Sequence, residues 1–291
     1  MESMKQISPP PFFYKTIQDT EVPALGFGTY ELKNRACRES VLKALEVGYR
    51  HIDTARAYDN EAEVGAALKQ SGIPRDDIFL TSKIWPDNLE PGRLKDEIRA
   101  SLNCLETDHL DLVLIHWPNP KVSLESTIRA LEEFAGAELI RHFGVSNFTP
   151  SLFREAIDCG PVFCNQVEYH PLLGQDEILS IARKHDVLVT AYSPLAKGGA
   201  LSLDPLREIA RKNDKTSGQI ALRWLIEQDH VAAIPRSSDP DHIESNFEVF
   251  DFQLDPEDRQ LIEGLPKDQR LTDPSFAPDW DEGNSRPANQ P

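Results

Sequence analysis

The chain predicts an α/β fold, a (β/α)8 TIM barrel, and three observations carry that expectation. Eight short apolar runs alternate with eight segments of helical period along its 291 residues. Several runs, Ile78 to Lys83 and Leu110 to His116 among them, are apolar at nearly every position, as parallel strands buried on both faces are. A hydrophobic content of 40% at this length supplies one large core, and barrels of this kind reach such lengths as one domain, here spanning residues 1–291.

Taken in order, the opening residues predict a small N-terminal β-hairpin, Phe12 to Thr16 and Val22 to Leu25. The barrel strands follow at Leu25 to Thr29, His51 to Thr54, Ile78 to Lys83 and Leu110 to His116. Four more lie at His142 to Val145, Phe163 to Val167, Val187 to Ala191 and Val231 to Ile234. The first four helices are expected at Arg35 to Val47, Glu61 to Gln70, Pro91 to Leu105 and Ser123 to Phe134. The others are expected at Ser151 to Ile157, Asp176 to Lys184, Ser217 to Gln228 and Pro240 to Val249. Pro205 to Lys212 and Pro256 to Leu265 break the alternation and read as two accessory helices. Asp204, Thr149 and Asp239 each precede a proline, which places a capping side chain ahead of a residue tolerated in the first helical turn. From Pro266 the chain is rich in Pro and Asp without periodicity, so a C-terminal tail over the barrel top is expected.

Composition narrows the function. With 31 basic and 48 acidic side chains the net charge is −17, which repels phosphate backbones and anionic bilayers, so neither a nucleic-acid nor a membrane partner is expected. Cys37, Cys104, Cys159 and Cys164 form no CxxC pair, the opening segment lacks the pattern of a signal peptide, and no apolar run approaches a membrane span. A soluble cytoplasmic protein with reduced thiols is the expectation.

In such barrels the chemistry gathers at the carboxyl ends of the strands. Asp53 ends the second run, Tyr58 follows in its loop, Lys83 ends the third and His116 the fourth. A lysine closing an apolar strand needs an anion, and Asp53 on the adjacent strand is the expected partner. The pair is expected to lower the pKa of the Tyr58 phenol and make it a general acid, with His116 orienting a substrate carbonyl. Each residue alone is more often structural, but four on consecutive strands at one rim favour a single site. The eight histidines show no metal-ligand spacing, and neither a GxSxG elbow nor a Walker loop is present.

Along nearly its whole length the chain resembles the aldo-keto reductases. The resemblance is carried by Gly48 to Gly65, Gly92 to Pro118, Gly144-Val145-Ser146-Asn147-Phe148, Asn165-Gln166-Val167-Glu168-Tyr169-His170-Pro171, Tyr192-Ser193-Pro194-Leu195 and Ile234-Pro235-Arg236-Ser237. It implies Asp53, Tyr58, Lys83 and His116 as the catalytic tetrad and a nicotinamide cofactor bound without a GxGxxG loop. Ser146, Asn147 and Gln166 would hold the carboxamide, Tyr192 would stack on the nicotinamide ring, and Gly28 and Thr29, with Asp53, would lie beside it. Ser193, Leu195 and Gly198 fall in the pyrophosphate-binding loop, Arg236 and Ser237 would receive the adenosine 2′-phosphate, and Asn246 would lie near the adenine. One departure stands out: His242 occupies a position where a second Arg is usual, and His is only partly charged at neutral pH. NADPH is the implied cofactor, with more NADH use than is typical of the family.

The short connection from Trp117 to Val122 and the compact tail are similar to bacterial members of the 2,5-diketo-D-gluconate reductase type, above all the B form associated with methylglyoxal and other small dicarbonyls. An aromatic pocket wall of Tyr30, Trp85 and Trp117, closed by Trp280, would then face a small carbonyl substrate, with His116 at its floor. The resemblance implies a monomer. The alternatives are an aldose- or xylose-type reductase, an alcohol dehydrogenase of the same superfamily, and a non-catalytic nucleotide-sensing subunit on the same scaffold.

Overall fold

A computed structural model describes residues 14–280. Eight parallel strands form one sheet in chain order: β3 (Phe27–Gly28), β4 (His51–Asp53), β5 (Phe79–Ile84), β6 (Leu110–Ile115), β7 (Ile140–Ser146), β8 (Cys164–Glu168), β9 (Leu188–Tyr192) and β10 (Val231–Ala233). The first and last strands meet through a parallel bridge from Leu25 to Ala233. The Gly26 amide donates to Ala233 O at 2.8 Å and the Gly28 amide to Pro235 O at 3.0 Å, so the sheet closes on itself. Every residue of β5, β6 and β8 is buried, the consequence of a packed interior on one face and helices on the other. At Gly144 a Cβ would come within 2.4 Å of Cys164 O, so β7 and β8 approach too closely there for any side chain.

Helices α1 (Asn34–Val47), α2 (Glu61–Ser71), α3 (Pro91–Leu105), α4 (Leu124–Gly136), α5 (Pro150–Cys159) and α6 (Asp176–His185) follow successive strands. The accessory α7 (Asp204–Asn213), then α8 (Ser217–Glu227), α9 (Pro240–Phe247) and the accessory α10 (Pro256–Glu263) complete the set. The barrel helices turn apolar stripes inward; in α3 the stripe is Leu94, Ile98, Leu102 and Leu105, at helical spacing. Thr149 caps α5 by accepting from the Leu152 amide, and Asp239 caps α9 by accepting from the Asp241 and His242 amides. Asp204 departs from expectation. It sits inside the first turn of α7, where an acid favours the helix N-terminus by charge, while Leu203 takes the cap position without a side-chain bond.

The hairpin, β1 (Tyr14–Ile17) with β2 (Thr20–Pro23), lies at the amino end of the barrel; the Phe12 end of the expected hairpin falls outside the described residues. Its Ile17 and Val22 join Phe79, Leu112, Leu114, Phe163, Cys164, Leu188 and Ala232 in a separate apolar cluster that plugs that end. The carboxyl ends of the strands open at the opposite mouth, where the chemistry of such barrels gathers. The tail crosses that mouth, pinned where Gly174 and Gln269 donate to Lys267 O and Leu172 O. Among the described residues no helix is long and apolar enough to cross a membrane.

Candidate active site

Strand register builds the centre of the site. Asp53 on β4 pairs with Thr81 on β5, and Lys83 lies two residues beyond Thr81, on the same face of its strand. The Lys83 ammonium, wholly buried, donates to Asp53 Oδ1 at 2.5 Å, to Thr54 O at 2.9 Å and to the Tyr58 hydroxyl at 3.3 Å. Tyr58 is brought over it by a short 3-10 turn, Arg56–Tyr58, which Arg56 ties down by pairing with Glu61 at 2.9 Å and Glu97 at 3.0 Å. His116, just past β6, sets its ring edge-on to Tyr58 at 5.6 Å and to Trp85 at 5.3 Å, and its buried Nδ1 has no hydrogen-bond partner.

Burial dominates the electrostatics. It pulls the Lys83 ammonium below its ordinary value, against the opposing pull of Asp53. It drives His116 well below the usual histidine value, Lys83 adding to the effect, so the imidazole is neutral. The expectation of an acidified phenol is corrected here. Burial, then the Asp53 charge and then Tyr30, hold Tyr58 well above the ordinary phenol value. Tyr58 therefore keeps its proton at neutral pH.

The residues expected around a nicotinamide are wired to this centre. Gln166 Nε2 reaches across the barrel to donate to Asp53 Oδ2 at 2.8 Å, and Asn147 Nδ2 donates to His116 O at 3.0 Å and to Ser146 Oγ at 3.1 Å. The Tyr192 hydroxyl donates to Asn147 Oδ1 at 2.7 Å, and Thr29 Oγ1 to Asp53 O at 3.0 Å. Ser146, Asn147 and Gln166, at the mouth ends of neighbouring strands, offer a hydroxyl and two carboxamides, the donor and acceptor set a carboxamide needs. The next loop carries Ser193, Leu195 and Gly198, with left-handed backbone at Ser193 and Gly198. At Gly28 a Cβ would meet Ile234 O at 2.9 Å, so the seam beside Pro235 and Arg236 has room only for glycine.

Arg236, Ser237, His242 and Asn246 form a more open rim. Arg236 donates to Glu31 Oε2 at 2.5 Å, Ser237 Oγ accepts from the Asp239 amide at 3.0 Å, and the exposed His242 ring lies 3.8 Å from Asp239 Oδ2. Asn246 is half-buried on α9. At the mouth Tyr30 lies edge-on to Tyr58 at 5.1 Å, and Trp117 is buried beneath the tail. Trp280 meets Trp117 at 6.0 Å, with the Arg270 guanidinium 3.7 Å over its ring. A cavity of about 510 Å³ lies beside the tail, bounded by Thr149, Gln175, Asp176, Arg270 and Trp280, away from Tyr58 and Lys83.

Two features were missed in the sequence. Phe276, not Trp280 alone, covers the mouth, wedged edge-on between Trp85 at 5.5 Å and Trp117 at 5.4 Å; its only signal was its place in an aromatic tail. Glu168 latches that tail, accepting the Leu271 and Thr272 amides at 2.8 Å each and His170 Nε2 at 3.0 Å. Burial pushes the Glu168 carboxyl up, and these bonds outweigh it, leaving it below the usual carboxylate value.

The aldo/keto reductase family profile matches residues 24–267, nearly all of the barrel. The chain belongs to the aldo/keto reductase family. It is 41% identical over 266 residues to the methylglyoxal reductase DkgB of Escherichia coli O157:H7, covering 89% of this chain and 99% of that protein. A solved structure named as a 2,5-diketo-D-gluconic acid reductase B superposes with a TM-score of 0.88 at 39% identity, covering 92% of this chain and 97% of the other. The aldose reductase of Schistosoma japonicum superposes at 0.84 with 30% identity, over 91% and 94% of the two chains. This aldo-keto reductase is thus an oxidoreductase of carbonyl groups served by a nicotinamide cofactor.

Proposed function

We propose that this aldo-keto reductase reduces small aldehydes, α-dicarbonyls or keto-sugars to alcohols with NADPH, in the manner of the methylglyoxal and 2,5-diketo-gluconate reductases it resembles, and that Tyr58 is the proton donor. The observation that carries the reading is the Tyr58 hydroxyl held 3.3 Å from a buried lysine that is itself 2.5 Å from a carboxylate. A bound dihydronicotinamide supplies the hydride. The chain's own residues bind the substrate, orient it and deliver the proton.

The substrate carbonyl oxygen accepts the Tyr58 proton as carbon is reduced. A phenol with a high resting pKa is fully protonated and ready to donate. What it lacks is stability as a phenolate, and the Lys83 ammonium beside its oxygen offsets that charge as it forms. Asp53 and Thr54 O hold the ammonium in place, so no reorganisation is needed at the moment of transfer. His116, neutral, donates a second hydrogen bond to the same carbonyl oxygen; we assign its proton to Nε2, because buried Nδ1 has no acceptor for an N–H. Ser146, Asn147 and Gln166 would hold the carboxamide, Tyr192 the ring face, and Arg236 and Ser237 the 2′-phosphate. The aromatic wall of Tyr30, Trp85, Trp117, Phe276 and Trp280 excludes water and admits compact substrates.

The test is NADPH oxidation over a panel of methylglyoxal, other α-dicarbonyls, keto-sugars and simple aldehydes. Turnover concentrated on the small dicarbonyls is expected, and no NADPH oxidation with any member of the panel would end the proposal.

A further inference from the structure

The side chain expected to receive the 2′-phosphate already carries an anion. Arg236 and Glu31, 205 positions apart, meet at 2.5 Å across the seam between the first and last barrel strands. Both are fixed from behind. The Gly28 amide donates to Pro235 O at 3.0 Å, which ties the Arg236 segment to β3, and the Leu32 amide donates to Thr29 O at 3.0 Å in a turn that places Glu31 at its tip with φ +63°. Buried Leu32 anchors that turn. Position 242 holds a histidine rather than a second arginine, and Asp239 and Asp241 beside it are exposed acids.

We infer that Glu31 is a specificity-determining residue that weakens discrimination for NADPH over NADH by occupying the Arg236 guanidinium with an internal carboxylate. The inference rests on the NADPH reading above. A 2′-phosphate must displace Glu31 or share the guanidinium with it, and either way meets a like charge at the site. NADH carries no group there, so its binding leaves the Glu31–Arg236 pair intact. Glu31 thus taxes one cofactor and not the other, without touching the reacting atoms.

The experiment is titration of the whole protein with NADPH and with NADH, followed by tryptophan fluorescence, for the wild type, Glu31→Gln, and Glu31→Gln combined with Arg236→Leu. An exposed ion pair of this kind predicts that Glu31→Gln tightens NADPH binding roughly two- to fivefold, with NADH affinity unchanged. Adding Arg236→Leu abolishes the gain. An unchanged or weaker NADPH affinity in Glu31→Gln overturns the inference, the latter by making Glu31 a support for Arg236 rather than its competitor. A wild type that binds neither nucleotide overturns the cofactor reading itself, a result distinct from tight binding that is indifferent to Glu31.

Discussion

Lys83→Met separates the two jobs of the buried lysine. The ammonium is wholly buried and, among the described residues, makes the only positive contact of Asp53, which is itself only 3% exposed. Removing it leaves a buried carboxylate with one hydrogen bond, from Gln166 at 2.8 Å, and breaking a buried pair from one side costs about 3–5 kcal/mol. The perturbation therefore predicts a loss of that size in denaturant unfolding. Changing Asp53→Asn as well removes the stranded charge while keeping an oxygen for Gln166, and recovers roughly half of the loss or more. Turnover does not follow stability. Without the ammonium nothing offsets the phenolate, so carbonyl reduction falls by ~100-fold or more in both the single and the double variant, in line with the usual worth of general-acid catalysis. Denaturant titration and steady-state kinetics on the three proteins make the assay. A single variant destabilised by less than about 1 kcal/mol, or a double variant whose activity returns with its stability, would refute the reasoning.

Two further outcomes follow from the site. Burial, with Lys83 adding to it, holds the folded His116 well below the ordinary value of 6.5, so its contribution to stability is fully present above that pH and is lost as pH falls through the lower folded value. The profile of kcat/KM for reduction accordingly shows no step near pH 6.5; a step there that vanishes in His116→Asn would contradict a neutral imidazole. Phe276→Ala removes two edge-on ring contacts at the mouth, each worth ~0.5–1.5 kcal/mol, and raises KM for small dicarbonyls by roughly tenfold while kcat holds within about twofold, as substrate saturation curves would record. An unchanged KM would show that the tail does not shape the pocket.

The barrel was legible because its signal is repeated: eight alternations of strand and helix period leave few competing architectures, and the fully buried β5 and β6 bear out the apolar runs that predicted parallel strands. Strand ends were less legible. The fifth apolar run reads as His142 to Val145, whereas β7 extends over Ile140–Ser146, because pairing of Leu110 with Ile140 continues the ladder past the apolar stretch. The meeting of Asp53, Lys83, Tyr58 and His116 was readable from their places at successive strand ends, since the barrel turns sequence order into neighbourhood. The direction of the Tyr58 shift was not. It depends on how deeply the phenol is buried and how near Asp53 lies, quantities no residue spacing encodes. Contacts between distant segments, such as Glu31 with Arg236 and Glu168 with the tail amides, were equally silent, because no spacing along the chain pairs the two partners.

The most direct measurement is cofactor affinity and carbonyl turnover, side by side, in Tyr58→Phe. The change deletes one oxygen, leaves the ring against Tyr30 and His116, and removes nothing from the Lys83–Asp53 pair. A proton-donating Tyr58 predicts NADPH binding equal to the wild type with reduction of methylglyoxal down by ~100-fold or more. Turnover within a few fold of the wild type would contradict it.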